Sequence, residues 1–268
     1  MGSGVSEPVT QRVEMELYCE RIGGKGPTLV LLHGLAGNGA VWQPLIDELR
    51  GRWPGNYLIP DLRGHGRSPH GSHYSFGQYA ADVADLLDPG ECVWSVAHSM
   101  GAVVALILAS GWYGVSVGAV LGFGMKLNWT EAETEKALSL SKVPVRWFDT
   151  RREAADRYLR LSGLAGLVAE DSTAVDAGLR QENGRWRLAA DARTFAAGKP
   201  AFEEIIRLAK ARVILACGSN DPMVKIDESR RLDPGAIELQ GLGHNLHLEA
   251  PQALARLVEK TILPLIES

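Results

Sequence analysis

The sequence predicts an α/β fold, in which a mostly parallel central sheet is flanked by helices and carries an inserted helical cap. Short apolar runs alternate with amphipathic stretches through the first half of the chain, which is the pattern of a parallel sheet covered on both faces. This alternation stops near residue 125 and resumes near residue 200. The chain has 268 residues, of which 46% are hydrophobic and 22% charged, enough for a substantial core.

The first elements follow in order along the chain. Residues 9–23 partly alternate apolar and polar side chains, which predicts an edge strand or a hairpin. Residues 27–34 form a continuous apolar run that ends in glycine, as expected of a strand buried on both faces. Helix 40–52 is predicted despite Pro44, because a first helical turn tolerates proline. The other elements predicted in this half are strands 56–62, 92–97 and 115–124 and helices 76–88 and 101–110.

Residues 125–199 lack a clear buried strand and contain charged, helix-prone stretches such as 130–141 and 149–163. We therefore expect a helical cap at 125–199 within a core formed by residues 1–124 and 200–268. After residue 200 the alternation of apolar runs and amphipathic stretches resumes, which predicts the remaining core elements. These are helix 201–211, strands 212–218 and 236–240, and a last helix at 250–267.

Charge and targeting signals exclude several classes of function. The net charge is −4, with no basic stripe or acidic tail, which argues against nucleic-acid and anionic-membrane partners. The three cysteines lack the spacing of a zinc site, and no secretory signal is recognisable, so a cytoplasmic location is expected. The uncharged run 101–125 is interrupted by glycines and fits a core helix and strand better than a membrane span.

One serine lies where a buried strand meets a buried helix, in the stretch Ala-His-Ser-Met-Gly at 97–101. Small residues two before and two after Ser99 suit a tight strand-to-helix turn, where larger side chains would collide with neighbouring backbone. Ala97 replaces the first glycine of this nucleophile-elbow pattern and adds one methyl group. A serine hydroxyl needs a base to become nucleophilic, and that base needs an orienting acid.

Candidates for both partners follow late strands in the required order. Asp221 lies in a Gly/Asn/Pro loop after strand 212–218, and His244 lies in a glycine-rich loop after strand 236–240. Loops at the carboxyl ends of neighbouring parallel strands meet at one sheet edge, to which Ser99 also points. His247 is the competitor of His244, but it stands where the last helix begins. The rivals of Asp221 are Asp227 and Glu228, which fall within an amphipathic helix.

Backbone N–H groups at the same edge are candidates for an oxyanion hole. Leu35 follows the turn His33-Gly34, and Met100 follows the serine at a helix N-terminus. We interpret Asp61, His65 and His98 as structural residues. In the insertion, Trp129 is a candidate substrate-binding residue. The arginines of the insertion are interpreted mainly as a solvated helix face, from which one member could bind a substrate carboxylate: Arg146, Arg151, Arg152, Arg157 and Arg160.

Five motifs together resemble the alpha/beta hydrolases of the serine-triad type, the branch that contains esterases, lactonases and carbon–carbon bond hydrolases. They are His-Gly-Leu-Ala-Gly from His33, Asp-Leu-Arg-Gly-His-Gly-Arg-Ser at 61–68, the serine motif, Asn-Asp-Pro-Met-Val from Asn220 and Gly-His-Asn-Leu-His-Leu-Glu-Ala-Pro from Gly243. They occur in order and span most of the chain outside the insertion. The resemblance implies Ser99 as nucleophile, His244 as base, Asp221 as orienting acid and 125–199 as a helical cap.

These observations predict a serine hydrolase without a cofactor or metal, acting on a small-to-medium carboxylic ester or lactone. A carbon–carbon bond hydrolase of diketone-like ring-cleavage products is the alternative enzyme, although the first loop lacks the His-Gly-x-Gly-x-Gly-Ala form common in that branch. Dehalogenases and epoxide hydrolases are disfavoured because they need an aspartate at position 99, whereas a perhydrolase side activity stays open. A small-molecule receptor that retains the triad also stays open, as do the natural substrate and the oligomeric state.

Overall fold

Residues 15–266 are described in a computed structural model, and they form a seven-stranded sheet and a two-stranded sheet. The strands are β1 Cys19–Gly23, β2 Thr28–Leu32, β3 Asn56–Pro60, β4 Cys92–His98, β5 Ser116–Phe123, β6 Leu179–Glu182, β7 Arg185–Leu188, β8 Arg212–Gly218 and β9 Ile237–Leu239. The α-helices are α1 Gln43–Leu49, α2 Phe76–Ala84, α3 Met100–Leu108, α4 Glu131–Leu140, α5 Arg151–Leu161, α6 Thr173–Ala177, α7 Phe202–Leu208, α8 Ile226–Leu232, α9 Leu246–Glu249 and α10 Pro251–Thr261.

The large sheet has the strand order β1-β3-β2-β4-β5-β8-β9. Only β1 is antiparallel to its neighbour within the described sheet, and it occupies one edge beside β3. This confirms the predicted mostly parallel sheet and places the end of segment 9–23 in an edge strand; residues 9–14 of that prediction lie outside the described residues. Because β2, β4, β8 and β9 run parallel, the loops that follow them lie at one edge of the sheet.

Each face of the sheet has its own hydrophobic core, as the buried strand β2 illustrates. Leu29 and Leu31 pack on one face with Trp42, in the core that includes α1 and α10. Val30 and Leu32 pack on the opposite face, in the core that includes α2 and α3. Successive side chains of a strand point to opposite faces, so an unbroken apolar run is what a sheet covered on both sides requires.

Segment 125–199 contains α4, α5, α6 and a hairpin of β6 and β7. This segment was predicted to be a helical cap without a clear buried strand, and the two strands at residues 179–188 are the part that departs from a helical structure. The hairpin turns at Asn183 and Gly184, whose φ angles are +50° and +78°, as a two-residue hairpin turn prefers. Its strands are mostly half-buried or exposed and carry many charged residues, so the hairpin does not show the continuous apolar run of a buried strand.

Two predicted helices are divided in the structure. The predicted helix 250–267 is α10, which ends at Thr261 and is followed by a 3-10 turn at Leu263–Leu265. Pro264 explains the break, because proline lacks the N–H that an α-helix needs and collides with the preceding turn. The predicted helix 40–52 begins as a 3-10 turn at Gly39–Trp42 and continues as α1.

The uncharged run 101–125 is divided between α3 and β5. None of the helices in residues 15–266 has both the length and the hydropathy that crossing a bilayer demands.

Hydrogen bonds attach segment 125–199 to the loops at the sheet edge. The amide of the buried Asn38 donates to the Tyr158 hydroxyl and to the carbonyl of Ala174, both at 2.8 Å. The Tyr74 hydroxyl donates to Asp191 Oδ2 at 2.7 Å. These contacts join α5, α6 and the loop after β7 to the edge where the candidate catalytic residues lie.

Candidate active site

Ser99 lies on a strained turn between β4 and α3. Its φ and ψ angles are +51° and −114°, a region that residues with a side chain rarely adopt and that costs of the order of 1–3 kcal/mol. Its N–H donates to the Phe123 carbonyl at 2.8 Å. A Cβ on Gly101 would lie 2.4 Å from the Leu32 oxygen and 2.7 Å from the His33 oxygen. The sharp turn therefore requires glycine two residues after the serine.

Asp221 and His244 form a hydrogen-bonded pair at the same sheet edge. Asp221 lies in the loop after β8, and its Oδ2 is 2.8 Å from His244 Nδ1. Its Oδ1 accepts a hydrogen bond from the Met223 N–H at 2.8 Å. A carboxylate can only accept from the imidazole, which assigns the proton to Nδ1 and leaves Nε2 as the basic nitrogen.

A cavity of about 310 Å³ brings the predicted residues together. Its lining includes Ser99 and His244, and it also includes Leu35 and Met100, the two residues predicted to supply oxyanion N–H groups. No hydrogen bond joins Ser99 to His244 within residues 15–266. Such bonds are often long in free enzymes and shorten when substrate binds. Over the same residues, the N–H groups of Leu35 and Met100 have no acceptor.

The rival histidine lies elsewhere. His247 is buried against Trp42 and His98, with ring centroids 4.9 Å apart in each case. Burial lowers its pKa to about 3, helped by the neighbouring His244, and its Nδ1 has no partner among the described atoms. His247 is therefore a neutral core residue. The rival carboxylate Asp227 lies on α8, highly exposed and near Arg230.

His98 packs behind the pair as a neutral ring. Its ring centroid is 4.6 Å from that of His244 and 5.0 Å from that of Phe123. Burial holds the pKa of His98 well below its usual range, so no positive charge lies on this side of His244.

Asp61 is a structural residue, as predicted, and it holds the loop that follows it as well as the turn that begins at Gly39. It is fully buried and accepts hydrogen bonds from the Gly39 N–H at 2.6 Å and from the Arg67 N–H and Nε at 2.7 and 2.8 Å. Burial acts to raise the pKa of Asp61, but the bonds from the Arg67 side chain, the neighbouring His33 and the backbone N–H groups of Arg67 and Gly39 together lower it. His65 is similarly structural, with Nδ1 at 2.9 Å from the Arg63 carbonyl.

His33 is a positioning residue that the sequence analysis named only as part of a turn. Its Nδ1 lies 2.8 Å from the Gly34 oxygen, and its Nε2 accepts from the Leu62 N–H at 2.9 Å. Burial lowers the pKa of His33, consistent with the neutral ring that these two bonds require. The sequence signal for this role is the position of His33 directly before Gly34, because a residue held there fixes the backbone that leads to Leu35.

The remaining cavity wall comes largely from segment 125–199 and is mostly apolar. Trp129 lies in it, as predicted, and its Nε1 donates to the Lys126 carbonyl at 3.0 Å. Lys126 and Arg160 also line the cavity. Among the described lining residues there is no carboxylate, although Lys126 pairs with Glu133 and Arg160 with Asp156 outside the cavity. The cavity can therefore accept an apolar compound that carries a negative group.

The other predicted arginines do not reach this cavity. Arg151 pairs with Asp176 at 2.5 Å, and Arg146 and Arg157 line a different cavity. Residues 15–266 contain no group of three or more His, Cys, Asp or Glu side chains arranged to hold a metal ion.

The parallel sheet and the strained serine turn at its edge define a class of α/β fold in which such a turn presents a reactive side chain. Residues 29–257 match the sequence profile of the alpha/beta hydrolase family, and the chain belongs to this family. The predicted family resemblance is thereby confirmed. The relationship establishes a hydrolase family without specifying the reaction.

Individual relatives differ in their named activities. The 2-succinyl-6-hydroxy-2,4-cyclohexadiene-1-carboxylate synthase of Salmonella paratyphi C is 28% identical over 250 residues, covering 88% of this chain and 95% of the synthase. An esterase structure from Mycobacterium tuberculosis superposes with a TM-score of 0.73 at 21% identity, covering 96% of this chain and 92% of the esterase. An uncharacterised M. tuberculosis protein is 38% identical over 92 residues, but this match covers only 33% of this chain and 26% of that protein.

Proposed function

We propose that this protein is a serine hydrolase that cleaves a small-to-medium carboxylic ester or lactone through an acyl-enzyme on Ser99. The observation that carries the proposal is the Asp221–His244 hydrogen bond of 2.8 Å beside a cavity that His244 shares with the strained Ser99. This arrangement supplies a base of fixed tautomer and a serine presented on a turn. The M. tuberculosis protein with a similar fold is named an esterase, which is compatible with ester cleavage by this chain.

In the first step, Ser99 Oγ attacks the substrate carbonyl carbon while its proton passes to His244 Nε2. The carbonyl oxygen gains the negative charge, and the N–H groups of Leu35 and Met100 stabilise it. A single donor of this kind is worth about 3–4 kcal/mol of transition-state stabilisation. Asp221 keeps the proton on Nδ1 and stabilises the imidazolium that forms.

In the second step, the carbonyl re-forms, the bond to the alcohol oxygen breaks, and His244 gives its proton to that oxygen. Water then attacks the acyl-enzyme with His244 again accepting the proton, which releases a carboxylic acid and restores Ser99. For a lactone the alcohol and the acid belong to one molecule. Segment 125–199 acts as a cap whose apolar wall, including Trp129, binds the substrate body.

The second candidate is cleavage of a carbon–carbon bond in a diketone-like compound by the same residues. Lys126 and Arg160 in the cavity wall favour it, because cations suit a substrate that carries a carboxylate. The curated synthase relative is named for a compound with a carboxylate group. In this reaction the leaving group is a carbanion or its enolate, which His244 protonates on carbon or oxygen.

The test is a pre-steady-state assay with p-nitrophenyl esters of increasing acyl length. We expect repeated turnover by the native chain and at least a thousandfold lower rate for Ser99→Ala, because the nucleophile has been removed. Ser95→Ala is the matched control, since Ser95 lies on β4 outside the cavity and donates to the Val30 carbonyl. Release of one equivalent without further turnover would favour a receptor. Equal rates for Ser99→Ala and the native chain would refute the proposal.

A further inference from the structure

A second cavity, of about 270 Å³, lies beside the catalytic cavity. Leu161 and Phe195 line both cavities and so form a shared wall. On α5, Arg157 lines the second cavity whereas Arg160, three residues later, lines the catalytic one. The two cavities thus use neighbouring turns of one helix, but they have different charged residues.

Positive charge is concentrated at the second cavity. Four arginines line it together with a single carboxylate, Asp191. This carboxylate is already engaged, because Arg193 Nη2 lies 2.6 Å from its Oδ2 and the Tyr74 hydroxyl donates to the same oxygen. Arg187 pairs with Glu182. The two remaining arginines, Arg146 and Arg157, leave an excess of positive charge at the cavity.

Arg146 and Arg157 have no carboxylate partner anywhere in residues 15–266. The Arg146 guanidinium instead lies 4.9 Å from the centre of the Phe148 ring. Guanidinium groups that share a cleft repel one another, and an anion bound between them removes this repulsion while forming paired N–H···O bonds. The charge distribution therefore favours a bound anion at this place.

Apart from His70, the rest of the lining is apolar, and it is partly open to water. Val143 and Val145 line the cavity while 52% and 59% of their surface is exposed. Phe148 is buried, and Leu161 and Leu188 are half-buried. Exposed apolar side chains beside unpaired cations are typical of a site that binds a molecule with an apolar body and a polar group.

We propose that this second cavity binds a small organic anion, with a carboxylate or phosphate between Arg146 and Arg157 and an apolar body against Phe148 and Leu161. The volume lies near the lower end of the range of small-molecule pockets, so the ligand is short. Ser99 does not line this second cavity. The anion site therefore does not depend on the reaction proposed for Ser99.

The test is isothermal titration calorimetry of the whole chain with hexanoate, hexyl phosphate and hexan-1-ol. We expect one of the anions, or both, to bind, and hexan-1-ol to bind at least tenfold more weakly. Comparison of the two anions distinguishes a carboxylate site from a phosphate site. If hexan-1-ol bound as tightly as the anions, the cavity would bind only apolar groups and the proposal would be wrong. The proposal would also be wrong if neither anion bound.

Variants assign the binding to this cavity. Arg157 is exposed, so Arg157→Gln should weaken anion binding by at most about fivefold, the effect of one exposed charge pair. Adding Arg146→Gln should weaken it further. Arg152→Gln is the matched control on α5, because Arg152 is exposed and lines neither cavity. If Arg160→Gln weakened binding and Arg157→Gln did not, the anion would lie in the catalytic cavity and the proposal would be wrong. Circular dichroism of each variant checks that it is folded.

Discussion

Replacement of Gly101 by alanine tests the turn that presents Ser99. The added Cβ would lie 2.4 Å from the Leu32 oxygen and 2.7 Å from the His33 oxygen. Both atoms belong to the backbone, so the turn or β2 must move by several tenths of an ångström. Overpacking of this kind costs about 1–3 kcal/mol. Displacement of the serine relative to the Met100 N–H should also lower kcat/KM by about a hundredfold.

Urea unfolding measures the first effect, and p-nitrophenyl ester hydrolysis measures the second. Gly24→Ala is the matched control, because Gly24 precedes β2, is exposed, and has no atom within 4 Å of an added Cβ. We expect this control to retain the activity and the unfolding midpoint of the native chain. If Gly101→Ala were equally stable and equally active, the close approach of α3 to β2 could not be what maintains the turn.

Three further substitutions test separate parts of the site. Asp221→Asn should lower kcat about ten-thousandfold with little change in unfolding, because the amide no longer holds the His244 tautomer; a loss below tenfold would contradict that role. Burial keeps the pKa of His247 near 3 rather than 6.5, so the native state resists protonation and loses stability as pH falls from 6.5 towards 3. His247→Phe should reduce this loss by about 1.4 kcal/mol per pH unit, and urea unfolding at pH 4.5 to 7 would show an unchanged slope if the account were wrong. Asn38→Ala should cost about 2–4 kcal/mol by leaving buried groups such as the Tyr158 hydroxyl unpaired, whereas an unchanged unfolding midpoint would show that these bonds contribute nothing.

The core elements and the serine turn were predictable because their signals are local. Strand β2 reads as one apolar run, and the spacing of Ala97, Ser99 and Gly101 reflects the close approach of α3 to neighbouring backbone. Asp221 and His244 could be predicted because parallel strands bring their following loops to one edge. In each case a few adjacent residues and a general rule of topology were sufficient to predict the element or the site residue.

The hairpin of β6 and β7 has a recognisable signal in the sequence. Asn183-Gly184 between short stretches containing Leu179 and Trp186 is a hairpin pattern, but the flanking charges resembled an exposed helical region. The second cavity had no sequence signal, since Arg146 and Arg157 come together with Phe195 only through packing of distant elements. A cytoplasmic location and a division into core and helical cap stay predictions.

The measurement that most directly tests the central claim is covalent labelling with a fluorophosphonate, followed by peptide mass spectrometry. We predict one adduct per chain, located on Ser99, with labelling at least a hundredfold slower in His244→Ala because the serine loses its base. His247→Ala serves as the comparison, since His247 is a neutral core residue and the imidazole hydrogen-bonded to Asp221 is that of His244. Provided that this variant is folded, its Ser99 should still react. An adduct on another residue, or equal labelling rates with and without His244, would contradict the assignment of Ser99 as a nucleophile activated by His244.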